Sequence, residues 1–160
     1  MLRPALQQRH KRQGGVELSD STVKLHYDID AEDFTTAGEA SSGVKKTLTR
    51  LGVNPELIKR VSIAMYEAEI NAVIHANGGA ADVEITPEMV KVVISDNGPG
   101  IPCVEDAMKP GWSTASNLVR EMGFGAGMGL PNMKRYTDEM YVESEVGVGT
   151  KITLIVYLNR

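Results

Sequence analysis

The stretch over residues 54–79 constrains the fold more than any other part of this chain. Asn54 is a good N-cap, and Pro55 suits the first helical position, where its missing amide would be unpaired anyway. A helix from there to about residue 76 is stopped by Asn77-Gly78-Gly79. Placed at about 100° per residue, Leu57, Val61, Ala64, Met65, Ala68 and Ala72 gather into one apolar stripe that must pack on a sheet. Glu67, Asn71 and His75, four residues apart in turn, climb one flank of that stripe. Glu69 falls on the other flank, roughly 160° from Glu67. Glu67 and Asn71 can therefore act on one ligand, and Glu69 cannot join them.

The rest of the chain supplies strands for that helix to cover. Residues 23–29 alternate apolar and polar side chains, the pattern of a half-buried strand. Asp30 is a suitable N-cap for a helix over about residues 31–51, which Gly52 ends. Further strands are expected over residues 81–86 and 89–95, joined by a tight turn at Pro87-Glu88. A third helix is expected over residues 130–138, and residues 140–144 and 150–158 form a hairpin around Val146-Gly147-Val148-Gly149. Strand and helix do not alternate regularly. The expected class is therefore α+β, an α/β sandwich with a mixed, largely antiparallel sheet and helices packed on one face, not a doubly wound parallel sheet. Between these elements, residues 101–123 carry Pro102, Pro110 and Gly111, with only a short helical patch near residues 116–121. A connection that long in a compact domain is usually functional or mobile.

Composition narrows the function classes. With 160 residues, 42% hydrophobic and 24% charged, the chain has the length and balance of one globular domain. Residues 1–20 are expected to be a disordered basic tail and residues 21–160 a single domain. Arg3, Arg9, Lys11 and Arg12 stand in a stretch without acids, so the remaining body is more acidic than the net charge of −4 indicates. Such a body is a poor binder of nucleic acid. No apolar run approaches the roughly 18 residues a membrane span needs, and no secretory h-region opens the chain, which points to the cytoplasm. Cys103, the single cysteine, excludes an internal disulfide and a cysteine-built zinc site, and is expected to be a small packing residue.

Three segments carry the chemistry. In the first, the Asn71 carboxamide is a neutral hard ligand for Mg2+, which is held mainly by the substrate's phosphates. Glu67, one turn away, can accept a proton from an attacking hydroxyl. The second, Asp96-Asn97-Gly98-Pro99-Gly100, puts a lone acid at a strand end, where it can read an exocyclic amine. Gly98 and Gly100 are expected to leave room for a flat base and to permit positive φ. In the third, Gly125, Gly127 and Gly129 precede Leu130 at a helix start, a natural phosphate site because unpaired amides point at the ligand. The glycine spacing fits neither a Rossmann turn nor a P-loop. Lys134 and Arg135 are either phosphate partners or a solvated basic face, the second being favoured. His75 drifts toward the apolar side and reads better as a hydrogen-bonded core histidine than as a site residue. Together the segments suit a pocket that holds ATP without a P-loop.

These segments resemble the N box and the two glycine boxes of the GHKL (Bergerat-fold) ATPase superfamily, over residues 23–158. Ser95-Asp-Asn-Gly-Pro-Gly-Ile-Pro102, Gly111-Trp-Ser-Thr114, Gly125-Ala-Gly-Met-Gly-Leu-Pro-Asn-Met-Lys-Arg135 and Val146-Gly-Val-Gly-Thr150 resemble its anti-sigma-factor and serine/threonine switch-kinase branch. The resemblance implies that Glu67 is the catalytic base, Asn71 the Mg2+ ligand and Asp96 the adenine-reading acid. It also implies that Gly98 and Gly100 line the base, that Gly125, Gly127, Gly129 and Leu130 sit at the phosphates, and that Thr150 supports Asp96. Residues 101–124, with Trp112, would be the ATP lid. The implied activity is a protein serine/threonine kinase using ATP and Mg2+ on a regulatory protein of STAS-domain or anti-sigma-antagonist type, with a sigma factor as a further partner and a homodimer allowed. The alternative is a nucleotide-gated anti-sigma or partner-sequestering protein with little or no phosphoryl transfer. For the basic N-terminal tail the resemblance implies no role.

Overall fold

In a computed structural model, which describes residues 17–19, 21–30, 35–76, 78–111 and 129–159, six strands form one sheet. They are β1 (Glu17–Ser19), β2 (Thr22–Ile29), β3 (Gly79–Ile85), β4 (Met89–Asp96), β5 (Glu139–Glu145) and β6 (Gly149–Tyr157), in the order β1-β2-β3-β4-β6-β5. Every neighbouring pair among the described residues is antiparallel. The helices are α1 (Glu39–Arg50), α2 (Pro55–His75), the single turn α3 (Val104–Ala107) and α4 (Gly129–Tyr136). The α+β class, with a largely antiparallel sheet and helices over one face, is as the sequence leads one to expect. Among the described residues no helix is long and apolar enough to cross a membrane.

Alternation along the strands decides which face is covered. Leu25, Ile29, Val83, Ile85, Val90, Val92, Ile94, Ile152, Leu154 and Val156 point into the core, whereas Lys24, His26 and Asp82 face solvent. Most of the predicted stripe on α2 is buried (Val61, Ala64, Met65, Ala68 and Ala72), and Leu57 packs at its margin. Asn54 caps α2 as expected, its side-chain oxygen accepting the Glu56 amide at 2.9 Å. Strand register then sets the working end of the molecule. Ile29 lies opposite Gly79, and Gly79 opposite Asp96, so β2 and β4 end where α2 ends.

Three local expectations change. Glu17–Ser19, assigned to the tail, pair with β2 as a short edge strand, because backbone pairing of this kind needs no side-chain pattern; residues 1–16 lie outside the described set. The helix expected from residue 31, capped by Asp30, begins at Glu39 after a turn at residues 35–38, and residues 31–34 lie outside the described set. Its cap position is Gly38, with φ +96° and no capping side chain. Cys103 is exposed, not packed.

The α1 amides find their acceptor on a different helix. Glu69 of α2 is only 2% exposed, and its two carboxylate oxygens accept the Ala40 and Ser41 amides at 3.0 and 3.2 Å. A negative group at a helix N-terminus is favourable, and a buried one is costly unless so paired. The same carboxylate, after burial itself, pushes the Tyr27 hydroxyl pKa upward. Removing this cap should therefore unfasten α1. Glu69→Ala is expected to lose about 2 kcal/mol in urea unfolding, since charge-assisted bonds contribute about 1.5–3 kcal/mol; an unchanged unfolding midpoint would show that Glu69 does not anchor α1.

Candidate functional site

Glu67 and Asn71 project from the same flank of α2 toward α4, and the fold makes that flank an interhelical seam. Asn132 Nδ2 donates to Glu67 Oε1 at 3.2 Å. One turn further along α2, the start of α4 lies on Asn71: a Cβ added to Gly129 would sit 3.1 Å from Asn71 Nδ2 and 3.2 Å from its Oδ1. At the other end of the seam, Arg60 donates through Nε to the Tyr136 carbonyl and through Nη2 to Asp138 Oδ1, both at 3.1 Å. Asp138 Oδ2 in turn accepts the Tyr157 amide at 2.8 Å, tying the end of α4 to β6. The two helices thus run antiparallel.

Asp96 lies at the end of β4, where the loop that follows it closes on the end of α2. Its Oδ1 accepts two backbone amides, Gly98 at 2.9 Å and Thr150 at 3.1 Å. Among the described residues both bonds fall on this one oxygen, and Oδ2 takes none. Thr150 touches Asp96 through its backbone amide; its hydroxyl lies 2.8 Å from Ser144 Oγ. Ser144 Oγ also accepts the Ile101 amide at 2.7 Å, fastening the chain after Gly100 to the β5–β6 hairpin.

The glycines of this loop are also packed tightly within the fold. A Cβ on Gly98 would lie 2.8 Å from Ala76 Cβ and 3.0 Å from the His75 carbonyl oxygen. On Gly100, whose φ is +78°, it would lie 2.4 Å from the Glu145 carbonyl oxygen. They are small so that the loop can close on α2 and on the hairpin, and of the pair only Gly100 has positive φ. Leu130 is also reassigned in part. Its side chain is buried in the core, 6% exposed, which leaves only its backbone for a ligand. Lys134 and Arg135 are exposed, with the Arg135 guanidinium carbon 5.6 Å from the Tyr136 ring centroid. Gly125, Gly127, Trp112 and the part of the expected lid beyond Gly111 lie outside the described residues; residues 101–111 contain α3.

His75, at the end of the flank, is half-buried, and burial lowers its pKa against the opposing pull of the Asp96 carboxylate. Asn132 and Ser144 are the partners that sequence reasoning passed over. Hairpin register pairs Ser144 with Thr150 and was a usable signal for Ser144. Nothing in local spacing pointed from Asn132 to Glu67. Among the described residues no cluster of three or more His, Cys, Asp or Glu side chains is placed to hold a metal.

A sheet with its helices on one face, a carboxylate–carboxamide pair on the central helix and an amide-anchored aspartate at a strand end define an ATPase-type nucleotide fold. The family model described as the histidine kinase-like ATPase domain matches residues 31–156, and the chain belongs to that family. It is 33% identical over 130 residues to the serine/threonine-protein kinase RsbT of Bacillus subtilis (strain 168), covering 79% of this chain and 90% of that protein. It is 29% identical over 143 residues to the anti-sigma F factor of Clostridium beijerinckii, covering 86% and 94%. Among solved structures, the RsbU and RsbW domains of Rv1364c from Mycobacterium tuberculosis share the fold, with TM-score 0.59 and 18% identity over 86% of this chain and 33% of that one.

The His75 environment has a consequence for stability against pH. Its folded pKa is lowered from 6.5, so between the two values the unfolded chain binds more protons. His75 therefore contributes fully above about pH 6.5, and its contribution falls as the solution is acidified. His26, held by Asp82 and then Asp28, is shifted the opposite way. The stability difference between wild type and His75→Gln should consequently change in favour of the variant from pH 7.5 to 5.5, measured by urea midpoints. Parallel profiles would mean that His75 has the same proton affinity folded and unfolded.

Proposed function

We propose that this protein is an ATP-dependent serine/threonine protein kinase that phosphorylates a regulatory partner protein in a cytoplasmic partner-switching system. The observation that carries the reading is the pairing of Glu67 with Asn132 across the α2–α4 seam, beside Asn71 and the α4 N-terminus. A site that only retained nucleotide would have no use for a carboxylate held there. Kinship with a protein named as a serine/threonine-protein kinase supports the same choice, and kinship with anti-sigma F factors supports a partner of STAS-domain or anti-sigma-antagonist type, with a sigma factor as a second partner.

In this reading Asp96 selects adenine. Oδ1 is already occupied by the Gly98 and Thr150 amides, which turns Oδ2 toward the N6 amine; the O6 of guanine would meet a second acceptor there. The amides opening α4, those of Gly129 and Leu130, face the phosphates; Gly125 and Gly127 are assigned to the same subsite by the family resemblance alone. Glu67 Oε2 takes the proton of the acceptor serine or threonine as its oxygen attacks the γ-phosphorus and ADP leaves. Mg2+, when bound, neutralises charge across the phosphates. The fit to this chain is a single neutral donor, the Asn71 carboxamide, with the substrate supplying the rest.

Two measurements test this. Calorimetry with Mg2+ should rank ATP well above GTP, and Asp96→Asn should abolish tight binding; equal affinities would remove the base-reading role. Labelled γ-phosphate should appear on a STAS-domain partner with wild type, and Glu67→Gln should depress that transfer by about 10²–10⁴ while ATP still binds. Transfer at the wild-type rate by Glu67→Gln would sink the base assignment.

A further inference from the structure

We propose that Asn132 is a positioning residue for phosphoryl transfer, holding one oxygen of Glu67 so that the other faces the acceptor hydroxyl. The inference rests on the reading of Glu67 as the base. Its geometric ground is independent of that reading. Asn132 Nδ2 donates to Oε1 at 3.2 Å, both side chains are half-buried, and Oε2 accepts nothing among the described residues. A glutamate has three side-chain torsions, so a carboxylate on a solvated helix flank would sample several rotamers. A single fixed hydrogen bond from the facing helix removes most of them.

Asparagine is also a poor residue for that place on local grounds. It sits inside α4, where its side chain competes with the backbone and lowers helix propensity. A residue that breaks a local rule without a local return points to a role in the site. Its position adds a coupling. Asn132 is three residues beyond Gly129, the helical residue that lies on Asn71. A phosphate drawn to the start of α4 therefore acts on the same rigid helix that carries the Glu67 partner, so occupancy of the phosphate subsite and alignment of the base are linked through α4.

The experiment is steady-state phosphoryl transfer to a STAS-domain partner by the full chain, with ATP affinity measured separately. Asn132→Leu removes the donor at similar size and is expected to lower kcat about tenfold, a fraction of what a positioned base contributes, while KM for ATP stays within about twofold. Asn132→Asp sets a carboxylate against Glu67 and should be slower still, whereas Asn132→Gln keeps an N–H donor and should recover part of the rate. If the leucine variant fails to fold, the Asp and Gln variants carry the comparison. In the Glu67→Gln background, Asn132→Leu should cost nothing further, because the group it positions is gone. A normal kcat in Asn132→Leu, a loss confined to KM, or losses that multiply in the double variant would overturn the inference while leaving Glu67 as the base. A full rate in Glu67→Gln alone would instead remove the base, and the positioning role with it.

Discussion

The seating of α2 on the sheet is the contact on which the remaining structure depends. Ala64, Ala68 and Ala72 meet the strands with methyl groups only, each 1% exposed, and Met65 fills the space beside them. Small side chains bring the helix axis close to the sheet and leave little freedom to rotate, because a turn about the axis would drive longer neighbours into the strands. That fixed rotation sorts the polar residues. Glu69 is sent to α1, where it satisfies two amides, and Glu67 and Asn71 are sent to α4. Two carboxylates two positions apart in sequence thus have separate duties: one holds a helix in place, and the other faces the candidate site.

The two halves of the site are built differently. Around Asp96 the restraints among the described residues run through backbone or hairpin: two amides on one carboxylate oxygen, Ser144 joining Thr150 to Ile101, and the Gly147 amide on the Pro99 carbonyl at 2.9 Å. Around Glu67 the restraint is a side-chain bond between two helices, with the firm clamp set at the distant end by Arg60 and Asp138. A backbone-anchored acid cannot turn without opening a hairpin. A carboxylate held by one asparagine can turn when the facing helix shifts. In the proposed kinase this division puts fixed recognition at the base and adjustable chemistry at the phosphates, a physical basis for a protein whose output depends on its nucleotide.

Local features were legible in the sequence and distant ones were not. The cap at Asn54, the stripe on α2, the Pro87-Glu88 turn and the last hairpin each depend on residues a few positions apart, and their patterns survive into the structure. The flank carrying Glu67 and Asn71 was legible for the same reason, since helical period alone places it. The start of α1 was not: its amides are satisfied by Glu69, 29 residues beyond Ala40, so no local cap marks the boundary. At Gly98 and Gly100 local sequence marks the loop and the positive φ of Gly100, but not what packs against them. Their smallness answers to Ala76 and Glu145, which lie near them only after the chain has folded. Asn132 and Glu67 are 65 residues apart and on different helices, a juxtaposition that requires the sheet to be assembled first.

His75 ends the flank of α2 that carries Glu67 and Asn71. Burial holds its ring toward the neutral form, and the nearby Asp96 carboxylate pulls the other way. The flank therefore presents a carboxylate, a carboxamide and an imidazole inclined to the neutral form. In the proposed kinase an added positive charge near Asp96 would compete with the base's amine for the carboxylate, while a neutral ring would leave Oδ2 to that amine. His75 itself is half-buried at the end of the same helix, three residues beyond Ala72. In the proposed kinase, packing of the central helix sets both the rotation that aims Glu67 and Asn71 at α4 and the half-buried place of His75 near Asp96, so that base recognition and phosphate chemistry share two turns of chain.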